Sequence, residues 1–332
     1  MNSSVVTIKR QSRPRKAPVL LSILILIAGL VLLLFAADQL VTAAVRLSRG
    51  LGISPVLVGA VIVGLGTSVP ELLVSFLASA GENMDVAMAN VVGSNITNMT
   101  LVLGSAALIA PVATRLKIIK REGALMLAAV VALLVVLLDG VIHRWEGAVL
   151  VAGMVFALVM LVRWSMSDTA SNERVEEDVD LSSGGRSQPI LRHLVTSIVA
   201  LTVTIFAADL LLDSALDIGD RLALSPAFLG VMLGIGTSLP ELATAIASMR
   251  RGQSDLVFGN VLGSNLFNSL AVAGSAGLVR GGTLESLGTL SLLAMVGVAF
   301  AAAIVSWTGS KVTRREASFL IAGFVLFTAT IY

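Results

Sequence analysis

Two short stretches of this chain carry oxygen-bearing side chains into otherwise apolar surroundings, and each stretch occurs twice. Residues 64–71 read GLGTSVPE and residues 234–241 read GIGTSLPE. Residues 90–98 read NVVGSNITN and residues 260–268 read NVLGSNLFN. The spacing is kept as well, with 27 residues from Glu71 to Asn98 and 27 from Glu241 to Asn268. Thr67 lies four residues before Glu71, and Thr237 four before Glu241, so hydroxyl and carboxylate share a helix face. Ser94 and Asn98, like Ser264 and Asn268, obey the same rule. Carboxylates, amides and hydroxyls together form an all-oxygen set. Such a set suits hard cations such as Ca2+ and Na+ and suits zinc or copper poorly.

Proline shapes the first motif. Pro70 and Pro240 have no backbone N–H and disfavour helix in the preceding residue, so helix breaks are expected at Val69 and Leu239. A break frees backbone carbonyls about one turn upstream, near Gly64 and Gly234. At membrane depth a freed carbonyl is tolerated only where a cation, water or other protein groups satisfy it. Gly93 and Gly263 leave room for the broken helix to come close. Glu71 and Glu241, when ionised, balance one Ca2+, two Na+ or two protons. A site that matches each load but not all at once is the physical basis of exchange. The remaining polar residues are assigned blander roles. Asn95 and Asn265 are expected to cap or bridge helices, and Asn90 and Asn260 to be structural. Asp38 and Asp209 are expected at an interface or vestibule, and Ser75, Ser79, Ser105 and Ser275 in packing.

The elements that position these residues follow from composition. The chain has 332 residues, 56% hydrophobic and 13% charged, against about 25% charged in a soluble domain. Its mean hydropathy is +0.94. This is the composition of an integral membrane protein that meets the lipid bilayer with many spans. Runs long enough to cross, about 20 residues each, fall at 18–45, 51–79, 85–112, 123–142 and 146–163, then at 193–216, 224–249, 255–279, 287–307 and 317–332. The expected fold is all-α, with ten transmembrane helices in two five-helix repeats. LFAADQL at 34–40 matches IFAADLL at 205–211, and SPVLVG at 54–59 matches SPAFLG at 225–230, so the duplication exceeds the motifs. A repeat with an odd number of spans enters the membrane in opposite orientations, which makes the repeats inverted, with broken helices at the midplane. The expected organisation is a basic tail over 1–17, a first repeat over 18–163, a cytoplasmic linker over 164–192 and a second repeat over 193–332.

Charge sets the expected topology. Arg46, Arg49, Arg115, Lys117, Lys120, Arg121, Arg250, Arg251, Lys311, Arg314 and Arg315 fall in loops on one side, together with the linker, against Arg144, Arg221 and Arg280 on the other. Positive-inside then puts the linker in the cytoplasm and both termini outside. The tail cations Lys9, Arg10, Arg13, Arg15 and Lys16 argue the other way for the N-terminus. The apolar run after them has no clear cleavage site and reads as a retained span rather than a signal peptide. The acidic linker run from Glu173 to Asp180 lacks the spacing of an EF-hand and reads as solvated.

Zero cysteines and two histidines exclude thiolate and His-rich metal sites. No nucleophile with a partnered base stands out, so an enzyme is not expected, nor is a cofactor. The basic residues read as topology signals, so no nucleic-acid partner is implied, and no protein partner either. Short loops without cysteine suit a prokaryotic inner membrane.

The duplicated GTSxPE and GNxxGSNxxN-type motifs resemble those of the calcium/cation antiporter superfamily, and in particular its prokaryotic sodium/calcium exchangers. The resemblance implies alternating access, with a core of eight helices and two long helices, the first and sixth, sliding across it. It implies ions held centrally by Glu71 and Glu241. Around them it implies Thr67, Ser68, Ser94 and Asn98 from one repeat, Thr237, Ser238, Ser264 and Asn268 from the other, and the carbonyls of Gly64 and Gly234. Some members carry Asp at one of the positions of Asn98 or Asn268. Two Asn here leave two central carboxylates, which weakens the case for potassium co-transport. Exchange of Ca2+ for Na+ is the leading expectation, exchange of Ca2+ for H+ by the same glutamates is the rival, and a passive cation channel is the outlier.

Overall fold

The computed structural model describes residues 19–113, 115–172, 190–222, 235–285 and 287–331. They form eleven helices and two small ribbons. We number the helices α1 (Val19–Leu51), α2 (Pro55–Thr67), α3 (Val69–Ala80), α4 (Met84–Ile109), α5 (Ala124–Leu137), α6 (Arg144–Asn172), α7 (Ile190–Arg221), α8 (Leu239–Arg250), α9 (Ser254–Val279), α10 (Thr289–Gly309) and α11 (Arg314–Ile331). With no water to satisfy backbone groups in a hydrocarbon core, helices that close their own hydrogen bonds are the available solution.

Six of these helices, α1, α4, α6, α7, α9 and α10, are long and apolar enough to cross a membrane. The pair α2 and α3, bent by 44° at Ser68, is a seventh crossing if counted as one broken span. The remaining expected spans appear in other forms. α5 continues without a break from a helical turn at Leu116–Ile118 through a π-turn at Ile119–Gly123, so the helix starts before the run read at 123–142 and ends before it, at Leu137. Of the run at 224–249, the described part is one helical turn at 235–237 followed by α8. The tail over 1–17 and most of the linker, including its acidic run, lie outside the described residues, as does Gly234.

Burial separates a centre from a rim. The most apolar windows of α4 and α9 are 72% and 89% buried, whereas those of α1 and α7 are 22% and 28% buried. Met88, Ile96, Met99, Leu133, Leu266 and Met295 anchor a large core around α4 and α9. α1 and α7, of 33 and 32 residues, run along one another outside it. Their contact with the centre is a second, smaller cluster rich in alanine and valine: Ala37, Ala44, Ala200 and Ala207 meet Val58, Val63, Ala243 and Ala247.

Small residues set the closest approaches, as expected where lipid supplies no hydrophobic drive between helices. A Cβ added at Gly64 would meet the Asn260 carbonyl at 2.8 Å and the Ser264 nitrogen at 2.9 Å. A Cβ at Gly263 would strike the backbone of Ala60. Thus α2 lies backbone to backbone against α9. Two-residue antiparallel ribbons then join the two halves. β1 (Val112–Ala113) pairs with β4 (Lys311–Val312), and β2 (Val141–Ile142) pairs with β3 (Gly282–Thr283).

Candidate functional site

Both GTSxPE motifs sit where a helix starts anew. Ser68 (φ −86°, ψ 11°) ends the turn before α3, and Ser238 (φ −93°, ψ 10°) ends the turn before α8. The break therefore falls one residue earlier than the expected Val69 and Leu239. Those residues and the prolines after them occupy the first turn, where the missing N–H of proline costs no helix bond. Neither serine caps its own helix. The two hydroxyls instead cross between the halves of the chain: Ser68 Oγ donates to Glu241 Oε1 at 2.8 Å, and Ser238 Oγ donates to Glu71 Oε1 at 3.5 Å.

Glu71 and Glu241 are 0% and 1% exposed, so both carboxyl groups lie in the interior. Ser94 stands beside Glu71, while Thr67 and Ser264 stand beside Glu241. Asn98 and Asn268, fully buried, each sit at a π-turn, in Asn98–Val102 and Phe267–Val272. A π-turn inserts an extra residue into a helix and is common at functional sites. Thr237 is half-buried in the turn before Ser238. The structure thus gathers Glu71, Glu241, Thr67, Ser68, Ser94, Ser238 and Ser264 around two carboxylates, with Asn98 and Asn268 on the two most buried helices.

Buried polar atoms without partners mark the same residues. Among the described residues, Glu71 Oε2, Glu241 Oε2 and both polar atoms of Asn98 and of Asn268 are buried with no hydrogen-bond partner, and so is the side-chain oxygen of Asn95, of Asn260 and of Asn265. An orphaned buried polar group costs about 1–3 kcal/mol, and of the six atoms at Glu71, Glu241, Asn98 and Asn268 four are oxygens and two are amide nitrogens. A dehydrated cation satisfies the oxygens directly. Among the described residues no group of three His, Cys, Asp or Glu exists. The oxygens on offer are therefore carboxylate, amide and hydroxyl, the set a hard cation takes.

The Gly64 carbonyl behaves differently from the expectation of a freed oxygen. It accepts from the Ser68 N–H at 3.2 Å, from Thr67 Oγ1 at 3.3 Å and from Ser264 Oγ at 3.1 Å. To serve a cation, the two hydroxyls must turn away and offer their own lone pairs to it. The other expected roles divide. Asn95 bridges helices, donating to Ser269 Oγ at 2.9 Å, whereas Asn265 donates to the Val261 carbonyl of its own helix. Asp38 is exposed and forms a two-pronged ion pair with Arg251, both contacts at 2.6 Å. Asn90 and Asn260, read as structural, both bond to the backbone of the central glutamates. Asn90, Ser94 and Asn98 recur every four residues, as do Asn260, Ser264 and Asn268, and that pattern was the available signal.

Comparison with known proteins gives the family. The family model for sodium/calcium exchanger proteins matches residues 21–163 and 192–332, which is nearly the whole chain. The inner membrane protein YrbG of Escherichia coli is 35% identical over 324 residues, covering 94% of this chain and 97% of that protein. The sodium/calcium exchanger MaX1 of Methanosarcina acetivorans is 26% identical, covering 93% of this chain and 98% of the relative. The solved structure of the sodium-calcium exchanger NCX_Mj superposes with a TM-score of 0.81 at 26% identity, covering 95% of this chain and all of that one. This multi-pass membrane protein is a transporter rather than an enzyme, and it belongs to the sodium/calcium exchanger protein family.

Proposed function

We propose that this protein is a secondary antiporter that exchanges Ca2+ for Na+ by alternating access. Its ligands are the carboxylates of Glu71 and Glu241, the side chains of Thr67, Ser68, Ser94, Asn98, Thr237, Ser238, Ser264 and Asn268, and the carbonyls of Gly64 and Gly234. The observation that carries the reading is the pair of fully buried glutamates, each accepting from a serine of the other copy and each keeping an oxygen with no hydrogen-bond partner among the described residues, as do Asn98 and Asn268. Two carboxylates neutralise one Ca2+ or two Na+, so either load leaves the buried site near neutral while both together do not. Such mutual exclusion makes transport an exchange rather than a leak. The relatives named as sodium/calcium exchangers support the choice of ions.

The moving parts follow from the packing. α1 and α7 touch the centre through a small cluster in which alanine and valine predominate, with Leu33, Leu40 and Leu256 among them. Gly66 and Gly236, inside the two motifs, leave space that Leu201 and Leu212 of α7 occupy. A shift of the α1–α7 pair over this surface uncovers the site first to one side and then to the other.

In this reading ten helices cross the membrane as two inverted repeats, with the linker in the cytoplasm and both termini outside. The ribbons support the parity. β1 follows the third crossing and β4 the ninth, while β2 follows the fourth and β3 the eighth, so each paired loop lies on one side. The first pair joins the loop of Arg115 and Lys117 to that of Lys311 and Arg315, the basic side. A reporter fused after Tyr332 is expected outside the cytoplasm, and a cytoplasmic reporter overturns the orientation.

Exchange for H+ is the second reading, favoured by one observation: Asn stands at both 98 and 268, leaving two glutamates as the central carboxylates. The test is calorimetric binding of Ca2+ to purified protein with Na+ as competitor. Binding that Na+ displaces at constant pH, and that Glu71→Gln and Glu241→Gln abolish, is the expected result. Binding untouched by Na+ but weakened by acid supports the proton reading instead.

A further inference from the structure

Two asparagines outside the proposed ligand set hold the backbone from which the ligands hang. Asn90 Nδ2 donates to the Glu71 carbonyl at 3.1 Å and to Ser75 Oγ at 2.9 Å. Asn260 Nδ2 donates to the Glu241 carbonyl at 3.4 Å and to Thr244 Oγ1 at 3.2 Å. In both copies the donor lies 19 residues after the glutamate whose carbonyl it meets. We infer that Asn90 and Asn260 are positioning residues that fix Glu71 and Glu241 in register with the helices carrying Ser94, Asn98, Ser264 and Asn268. The inference rests on the ligand reading above.

The argument for a positioning role is what varies between the copies and what does not. The hydroxyl partner changes in kind and place, being Ser75, four residues after Glu71, in one copy and Thr244, three after Glu241, in the other. The carbonyl partner stays at the glutamate itself. Duplication alone repeats a contact; here the carbonyl contact is kept while its hydroxyl companion has moved. Hydrogen-bond polarity also fixes the amide. Ser75 spends its hydrogen on the Ala87 carbonyl at 3.0 Å, and Thr244 spends its own on the carbonyls of Pro240 and Glu241 at 2.9 and 3.0 Å. Each hydroxyl oxygen can then only accept, and an NH2 group is the neutral side-chain donor able to serve a carbonyl and a hydroxyl together.

Location gives the bond its effect. Glu71 and Glu241 lie in the first turn after the break, where the N–H groups have no partner from the preceding helix while the carbonyls already accept from the turn that follows, so each asparagine adds a second, cross-helix bond to a carbonyl its own helix engages. Pinning the carbonyl restricts the peptide plane and with it the direction in which the side chain leaves. The same helix face then presents Ser94 and Asn98, or Ser264 and Asn268, four and eight residues on. Carboxylate and amide ligands of one copy are thereby a single rigid unit. Partners one shell out from a metal typically affect its affinity by 10–100-fold.

The test measures Ca2+ binding by calorimetry and thermal unfolding on the full-length protein in detergent. Asn90→Ala is expected to weaken Ca2+ binding about tenfold. Ser75→Ala removes the hydroxyl link and the tie to Ala87 but leaves the amide-to-carbonyl bond. It is expected to lower the unfolding temperature with affinity within about twofold. Asn90→Leu, of similar volume, and Asn260→Ala carry the same prediction if Asn90→Ala fails to fold. Affinity that falls only in step with stability across all these variants overturns the inference. Glu71→Gln is run alongside: if it keeps normal binding, the ligand reading itself fails. If it loses binding while folded Asn90 and Asn260 variants keep theirs, the positioning role alone fails.

Discussion

The two copies of the motif pair agree in their chemistry and differ at their margins. Glu71 and Glu241 are equally buried, each accepts from a serine of the other copy, and each has an asparagine on its carbonyl. The margins differ by whole interactions. Asp38 of α1 meets Arg251 beyond the end of α8 in a paired, two-pronged contact. Its sequence match, Asp209 of α7, has no ion pair among the described residues, and Gly81 stands where Arg251 stands in the other copy. Under the proposed alternating access, a centre of this likeness would treat the two states alike, while a contact made on one side alone would favour one of them.

The largest expected effect tests the likeness at the centre. Glu71→Gln and Glu241→Gln should each abolish Ca2+ flux while the protein stays folded in detergent, since removing one charge leaves Ca2+ half neutralised. Residual exchange in one variant but not the other breaks the equivalence of the copies.

Next comes the close approach of α2 and α9. Gly263→Ala puts a methyl into the backbone of Ala60 and should cost about 1–3 kcal/mol of stability. Gly66→Ala meets only the flexible end of Leu201 and should cost less than about 1 kcal/mol. Thermal unfolding of the two variants separates a rigid contact inside the core from a yielding one against α7. Equal losses would contradict the proposal that α1 and α7 slide over a rigid centre.

Pro240→Ala should slow transport more than it weakens Ca2+ binding, because it allows the helix to run through the break without removing a ligand. Parallel uptake and binding measurements check it. A loss confined to affinity would place the proline among the groups that shape the site at rest. The smallest effect belongs to the rim. Asp38→Asn breaks an exposed ion pair, worth at most about 1 kcal/mol, so it should shift the balance of access states by no more than about fivefold. A cysteine-free chain allows this to be read by labelling single introduced cysteines near the site from each side. No shift would mean that Arg251 steadies its own loop and leaves the α1–α7 pair unbiased.

Much of this was legible in the residues. Apolar runs mark the six helices long and apolar enough to cross a membrane, and GTSxPE with GSNxxN carries the glutamates and hydroxyls that meet in the interior. What escaped the residues is relational. The break lies at Ser68 rather than Val69 because proline fits the first turn of a helix and need not end one. The Gly64 carbonyl is engaged because hydroxyls nearby, one of them 200 residues away, turn onto it. Asn90 and Asn260 show their type in the sequence, but not which peptide they grip. The Asp38–Arg251 contact joins residues 213 apart with nothing local to announce it. The two ribbons are only two residues per strand, too short for any alternating pattern to declare.

The most direct test of the central claim is 45Ca2+ uptake by purified protein in sealed liposomes loaded with Na+ and diluted into Na+-free buffer at equal pH, repeated with a pH gradient and no Na+. Uptake driven by the outward Na+ gradient, and absent in Glu71→Gln and Glu241→Gln, is the predicted result. Uptake that needs the pH gradient and ignores Na+ would contradict it and assign the two glutamates to proton exchange.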